Sequence, residues 1–256
     1  MIQRRAWDVE KLYLDRLEAY VNGEIALPAV KLNKRPAGIH QSNLNDNSCI
    51  LKGYYANTLE TLPPIGVEAT LRFAVGRSFE RVIAFAGELE PKELDGIWVT
   101  PDDYHDEIGM SEIKYTTATS LSDVSKDFPQ WICQMKNQCY VFEEDHVNLV
   151  VYFAVGNMPS YTVWNIKKLP KNTPYQGIAF KAWTFEFTEE ELKMNWLMMV
   201  ERKELLAGAI LDGIPPCRES VLEQLPSNLK KWGRDYWMCK KCVFSEDCYL
   251  RGDLVK

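Results

Sequence analysis

Two short stretches carry side chains that could do chemistry together: "LDGIWVT" at 94–100 and "SEIKYTT" at 111–117. Each reads as a strand, being rich in β-branched and aromatic residues. The first holds Asp95, and the second holds Glu112 with Lys114 two residues on. Strands of a core sheet ordinarily spend such positions on packing. The intervening "PDDYHDE" reads as a hairpin-like turn, and a turn centred on 103–105 sets Asp95 against position 112 or 114 of the returning strand. Residues opposite one another share a face, as do residues two apart on one strand. Asp95, Glu112 and Lys114 are therefore expected on one patch. The dipeptide Pro101-Asp102 offers a rival acid. On this reading Asp102 lies within the turn, more than ~10 Å from Glu112 at about 3.3 Å per residue, so Asp95 is the expected partner.

Two carboxylates side by side raise each other's pKa unless a cation sits between them. Hard oxygen donors with open positions suit Mg²⁺ or Mn²⁺. A lysine beside them can orient or deprotonate a bound water, or stabilise charge on a phosphate. Such a set hydrolyses a phosphodiester by metal-assisted in-line attack. The same three residues also fit a plain surface ion pair of Lys114 with either acid. Company comes from "RFAVGRSFERV", where Gly76 lies one turn before Glu80. A glycine there lets a helix backbone approach the sheet, and Glu80 would bring a third carboxylate. Otherwise Glu80 is a helix-surface acid for Arg77 or Arg81.

These residues need elements to hold them. Residues 7–21 read as a helix with Trp7, Leu12, Leu14, Leu17 and Tyr20 as an apolar stripe. "LPAVKLNKRPAGIHQSNLNDNS" is turn-rich and reads as a loop. A long helix starts after Pro63-Pro64 and runs through "VEATLRFAVGRSFERVIAFAGEL"; strands follow at 94–100 and 108–116, then a helix from about 128. "VNLVVYFAVG" is a buried strand, "YTVWNIKK" and "IAFKAWTFEF" are further strands, and 189–211 is a helix ending near Gly213 with Pro215-Pro216 behind it. Helices and strands in this order make a mixed α/β core.

The chain has 256 residues with 46% hydrophobic content, enough for one sizeable domain or a domain with a small appendage. The first residues enter an amphipathic helix rather than a signal peptide, and no apolar run approaches the roughly 20 residues that span a bilayer. Seven cysteines without an export signal point to a reducing cytoplasm and to metal binding rather than disulfides. A net charge of −6 does not attract nucleic acid to the whole molecule, so such binding needs local basic patches or metal ions. One patch is "NLKKWGRDYWMCKKC", with Lys230, Lys231, Arg234, Lys240 and Lys241 interleaved with Trp232, Tyr236 and Trp237. Cations beside aromatics suit a single strand, although the tryptophans equally suit packing of a small lobe. Lys31, Lys34 and Arg35 form a second patch, which also reads as a solvated loop. His40, His105 and His146 are scattered and incidental. No phosphate-binding glycine loop occurs, so a helicase partner would be a separate chain.

Cys239-x2-Cys242-x5-Cys248 is a strong metal-ligand spacing that needs a fourth donor, and Cys217 is nearest in sequence. Four thiolates serve zinc or a [4Fe–4S] cluster. Cys133 and Cys139 lie on the helix after 128 and read as core.

The order "HQSNLNDNSC", "GRSFE", "LDGIWV", "SEIK", "QWICQMKNQCY" and "CKKCVFSEDC" resembles the RecB-like branch of the PD-(D/E)xK nucleases. It is most similar to the CRISPR-associated exonucleases and their phage relatives that carry an iron–sulfur cluster. The resemblance covers roughly residues 38–250. It implies a restriction-endonuclease-like core, a mixed sheet flanked by helices, at 38–187. An N-terminal helix and basic loop (1–37) would precede it. A C-terminal helix and cysteine-bearing iron–sulfur lobe (188–256) would follow, packed as one domain. By that likeness Asp95 and Glu112, with Glu80, are metal ligands, Lys114 is the catalytic lysine, and Gln134 positions the DNA or the active site. Cys49 would close a [4Fe–4S] cluster with Cys239, Cys242 and Cys248, with structural zinc as the alternative ion and Cys217 as the rival ligand.

Two positions depart from the family. It usually has histidine where Glu80 stands, and the harder carboxylate predicts a shift from Mn²⁺ towards Mg²⁺. Its tyrosine four residues after the glutamine is Gln138 here. The implied function is a metal-dependent DNA exonuclease acting on single strands or DNA ends. Its setting would be the cytoplasm of a prokaryotic or phage-infected cell, in recombination, repair or spacer acquisition, with a separate helicase or integrase/recombinase as partner and no membrane. The competing functions are a catalytically silent DNA-end-binding or adaptor subunit, and a zinc-braced structural protein.

Overall fold

Strand β7 (His146–Phe153) shows how the core is built. Val147, Leu149, Val151 and Phe153 face one apolar cluster while Val150 faces another, so both faces of the strand are buried. A strand covered on both sides lies at the centre of a sheet flanked by helices. The computed structural model describes residues 1–26, 36–45, 49–86, 89–120, 122–156, 177–216 and positions 242 and 244. Its larger sheet has five strands in the order β1 (Ile2–Arg5), β8 (Ala179–Glu186), β7, β6 (Gly109–Thr116) and β5 (Asp103–His105). The β6–β7 pair is parallel and the others are antiparallel. Parallel neighbours need a crossover, supplied here by α5 (Val124–Asp127) and α6 (Pro129–Phe142).

On one face, α1 (Trp7–Val21) and the end of α4 (Val67–Ile83) pack Val9, Tyr13 and Ile83 against Ile113, Val150 and Ala182. On the other, α6 and the start of α7 (Glu189–Asp212) pack Ile132, Met135, Cys139 and Leu192 against Met110, Leu149, Val151 and Phe185. A third cluster joins α3 (Ile50–Thr58), α6 and α7 to a small sheet through Tyr54, Tyr55, Trp196, Met199 and Leu206. That sheet has the order β2 (Ile39–His40), β4 (Ile97–Val99), β3 (Lys92–Leu94). Both β2 and α2 (Gln41–Leu44) fall within the stretch expected to be a loop.

The expected pairing of 94–100 with 108–116 does not form. Leu94 pairs with Ile97, so Asp95-Gly96 is a two-residue hairpin turn with φ of 50° and 76°. Turns with both central residues at positive φ favour an acid or amide followed by glycine. This local chemistry commits 92–99 to the small sheet. The hairpin that does carry Glu112 is β5–β6, in which His105 pairs with Gly109 and Asp103 with Ser111. Its turn lies at 106–108, later than the expected 103–105.

α4 ends at Ile83, short of the expected 89, because the next backbone amides are captured by a side chain. Phe85 and Ala86 N–H donate to the Asp103 carboxylate at 2.8–3.0 Å. α7 closes as expected, with Gly213 at φ 67° as its C-cap and a Thr188/Glu191 capping box at its start. The N-terminal residues belong to the core: β1 pairs along β8, and α1 covers the sheet. The strand expected at 161–168 lies outside the described residues. Among those residues no helix is long and apolar enough to cross a membrane.

Candidate active site

Strand β6 has β7 along one edge, while β5 covers only Gly109–Ser111 on the other. Past Ser111 that edge needs other partners for its backbone, and the chain entering β5 supplies one. Continuing the register by one step brings Asp102 opposite Glu112. Asp102 Oδ2 accepts the Ile113 N–H at 2.9 Å and lies 3.8 Å from Lys114 Nζ. Lys114 also forms an ion pair with Glu112. The cluster is therefore Asp102, Glu112 and Lys114.

Asp95 is elsewhere. From its turn it accepts the Trp196 indole N–H at 2.8 Å, which ties the small sheet to α7. The expectation that Asp102 lies too far from Glu112 failed through the misplaced turn: with the turn at 106–108, Asp102 stands beside Glu112 rather than in the loop.

Glu112 is 0% exposed, while the Asp102 and Lys114 side chains keep 18% and 20% of their surface. Solvent therefore reaches the cluster on the Asp102–Lys114 side. Burial, then the Asp102 charge, push the Glu112 carboxyl up to about 8, against the pull of Lys114 and Gln138. Burial pulls the Lys114 ammonium down, but Glu112 and Asp102, with Glu80 adding, outweigh it and hold its pKa above the ordinary lysine value. The two shifts are compatible: two acids compete for one ammonium, so the ammonium keeps its proton while the buried acid tends to regain one. The deficit is one positive charge.

Glu80 contributes to the field on Lys114 and is bridged to Arg77 at 3.1 Å. Gly76 is where α4 comes down on β6; a Cβ there would touch Tyr115 Cβ at 3.7 Å, an ordinary contact. Gln138, and not Gln134, meets the cluster. It is fully buried, its amide N–H₂ donates to Glu112 Oε2 and, at 3.5 Å, to the Thr100 carbonyl, and its Oε1 is buried without a partner. Gln134 lies one helical turn earlier on the same side of α6 and is half-buried. The Asp95-Gly96 dipeptide is a turn signal present in the sequence, whereas Gln138 lies four residues after Gln134 on the same side of α6 and carries no local mark of its own.

Among the described residues no group of three or more Cys, His, Asp or Glu side chains converges as a ready metal cage. Cys49 and Cys242 are half-buried, both packed against the cluster that holds Tyr55 and Phe244. Burial raises the Cys49 thiol, and the nearby Cys242 adds to the effect. Cys217, Cys239 and Cys248, and the basic and aromatic residues of both patches, lie outside the described residues. Cys133 and Cys139 are core residues. His40 is buried, with Nε2 2.7 Å from the Pro36 carbonyl; His105 packs on Phe85 and His146 bonds Asp145.

No protein-family description matches the chain, and no curated protein does. Two solved structures are similar in outline. One is reported as the crystal structure of SSO0001, with 17% identity, a TM-score of 0.42 and coverage of 94% of this chain and 95% of that one. The other is a phage-related exonuclease from Haemophilus somnus 129PT, with 11% identity, a TM-score of 0.35 and coverage of 80% and 82%.

Proposed function

We propose that the protein is a metal-dependent nuclease that hydrolyses phosphodiesters at Asp102, Glu112 and Lys114. The observation that carries this reading is the convergence of two carboxylates on one lysine at the partly open edge of β6. The fit to a divalent cation rests on the donor set. Two hard oxygen ligands face each other, one of them buried, and their charge exceeds that of the single lysine. Asp102 and Glu112 would hold the ion. When bound, such an ion polarises the phosphate and makes water a better nucleophile.

The chain's own groups do the rest. Ile113 N–H fixes the Asp102 carboxylate, and Gln138 fixes that of Glu112. Lys114 keeps its proton between the two acids, so its part is to present positive charge to a phosphate oxygen rather than to act as a base. Glu80, leashed to Arg77, adds to the field that keeps that proton in place.

The substrate read from the sequence is DNA, as single strands or ends, in the cytoplasm of a prokaryotic or phage-infected cell, with a helicase or integrase/recombinase as a separate chain. Cys49 and Cys242 would join Cys239 and Cys248 around a [4Fe–4S] cluster or zinc. The Cys49 thiol, raised mainly by burial and in part by nearby Cys242, ionises readily only beside a cation, which supports this donor set.

Purified protein incubated with labelled single-stranded DNA and Mg²⁺ or Mn²⁺, beside Lys114→Ala and Asp102→Asn, tests the reading. Cleavage by the wild type alone is expected. Binding without cutting would move the assignment to a silent adaptor, and neither binding nor cutting to a structural protein.

A further inference from the structure

Helix α4 does not stay on the sheet along its whole length. Its last turns pack: Ile83 is fully buried, Phe79 meets Tyr152 with ring centroids 4.5 Å apart, and Gly76 passes over Tyr115 of β6. One turn earlier that support ends. Leu71, Arg72, Phe73, Ala74 and Val75 are all exposed, and five consecutive residues take in every side of a helix. The first half of α4 is therefore an arm standing off the core.

One face of the arm leads away from the candidate site. Phe73, Gly76 and Glu80 are three and four residues apart, so they lie in line along the helix. Gly76 sits over Tyr115, the neighbour of Lys114, and the Glu80 charge acts on Lys114 itself. Arg77 joins this face four residues after Phe73 and bridges to Glu80 at 3.1 Å. Both outer members are open to solvent: the Arg77 side chain keeps 63% of its surface and Phe73 keeps 64%. Seven residues separate Phe73 from Glu80, about 10 Å along the axis at ~1.5 Å per residue. The helix carries three arginines against two glutamates in a chain of net charge −6, so it is locally the better surface for an anionic partner. Leu71 is just as open, yet two residues of helix turn it roughly 200° from Phe73, onto the other side.

We propose that this face of α4 guides a single nucleic-acid strand into the site, with Phe73 stacking on a base and Arg77 holding a backbone phosphate. The inference rests on the nuclease reading, because that reading supplies the strand. Continuity and charge name the occupant. The face begins at the acids and lysine of the site, and an exposed ring beside an exposed guanidinium suits a strand held by stacking and phosphate contact. A guanidinium has five N–H donors, so Arg77 can hold Glu80 and a phosphate at once. At about 3.4 Å per stacked nucleotide, Phe73 meets a base roughly three positions from the reacting phosphate. Neither contact reads base identity, so the arm sets grip rather than sequence preference.

The test measures binding of fluorescent oligothymidylates in excess chelator, with a single abasic site moved along the strand. It compares wild type, Phe73→Ala, Arg77→Gln, Leu71→Ala and Arg4→Gln. Arg4 is the charge-matched control, its side chain also 63% exposed and paired with an acid, Glu186. Phe73→Ala is expected to lose about tenfold in affinity. Wild type should lose as much when the abasic site falls at one position, and Phe73→Ala should not sense that site. Arg77→Gln should lower the salt slope by roughly 0.7 while keeping the abasic effect. Leu71→Ala and Arg4→Gln should bind as wild type does. An equal loss in Leu71→Ala, or an abasic effect that survives in Phe73→Ala, would overturn the inference. So would a wild-type dimer in sedimentation that Leu71→Ala and Phe73→Ala both split, since the arm then serves a second copy. If the wild type cleaves DNA yet Phe73→Ala binds equally well, only the arm falls. If the wild type neither cleaves nor binds, the nuclease reading falls with it.

Discussion

Two buried carboxylates on the β5–β6 hairpin, Asp103 and Glu112, are each 0% exposed, yet their surroundings differ in kind. Asp103 is met by donors: the Tyr13 hydroxyl at 2.8 Å and the Phe85 and Ala86 backbone amides at 2.8–3.0 Å. No second acid stands among those partners. The result is a rivet, joining α1, the end of α4 and the hairpin. Glu112 is met by Lys114 and Gln138 but also by the charge of Asp102, and its ammonium partner is shared. A carboxylate satisfied by its own fold has nothing left to bind, whereas one left in electrostatic deficit calls for a cation.

The contrast breaks hardest on activity. Asp102→Asn and Glu112→Gln are expected to lower DNA cleavage by about 10²–10⁴-fold, the range for removing a group that acts on the reacting centre. Asp103→Asn should leave much of the activity of the folded fraction, one residue away. Cleavage rates normalised to folded protein make the comparison. Equal losses at 102 and 103 would erase the distinction.

Stability should show the reverse. Asp103→Ala strands the Tyr13 hydroxyl and two backbone amides, and is expected to cost about 2–4 kcal/mol in denaturant unfolding. Asp102→Asn keeps an acceptor for Ile113 N–H and relieves repulsion, so its unfolding midpoint should stay level or rise. Gln138→Leu gives the next effect. It removes the amide that orients Glu112, and a loss of roughly 10–100-fold in metal affinity or cleavage is expected. Gln134→Ala should be milder, and isothermal titration with Mg²⁺ separates the two.

Much of this arrangement was legible in the sequence, and the failures have separate physical causes. The helices at 7–21, from 128 and from 189, the buried run at 146–153 and the run at 179–186 form as read, but the first helix buries Val9 and Tyr13 in place of the expected stripe, leaving Trp7 and Leu14 exposed. The Glu-x-Lys strand was legible because charged residues interrupt an apolar run. What failed was the hairpin register. Asp-Gly at 95–96 is a turn signal that outweighs the apolar run after it, and once 92–99 closes on itself the strand leading to Glu112 must begin at Asp103. The placement of β1 against β8 was also beyond reach, since a pairing across some 180 residues leaves no local trace. Gln138 hid for a different reason: only contact with Glu112 tells it from the other glutamines of α6.

Proton linkage sharpens the same comparison in the metal-free protein. The Glu112 carboxyl is raised from 4.5 to about 8 on folding, so the folded chain holds a proton that the unfolded chain releases across that window. Its stabilising contribution is complete below about 4.5 and is lost as pH rises through about 8. In chelator, wild-type melting temperature should therefore fall between pH 6 and pH 9, and Glu112→Gln should flatten that fall. Asp103 is raised as well, by burial, but it is present in both proteins and cancels from the difference.

Asp95→Asn tests the smallest effect and guards the assignment. Asp95 is exposed, sits at φ 50°, and spends its carboxylate on the Trp196 indole 2.8 Å away. Asparagine tolerates positive φ and retains an oxygen for that bond, so stability should change by less than about 0.5 kcal/mol and cleavage should stay near wild type. Asp95→Val should instead cost about 1–2 kcal/mol, because a β-branched residue resists the left-handed region, again without an effect on the chemistry of the folded fraction. If Asp95→Asn abolished cleavage at an unchanged melting temperature, the acid that works with Glu112 would be Asp95 after all, and the Asp102 carboxylate would be no more than a cap on the open edge of β6.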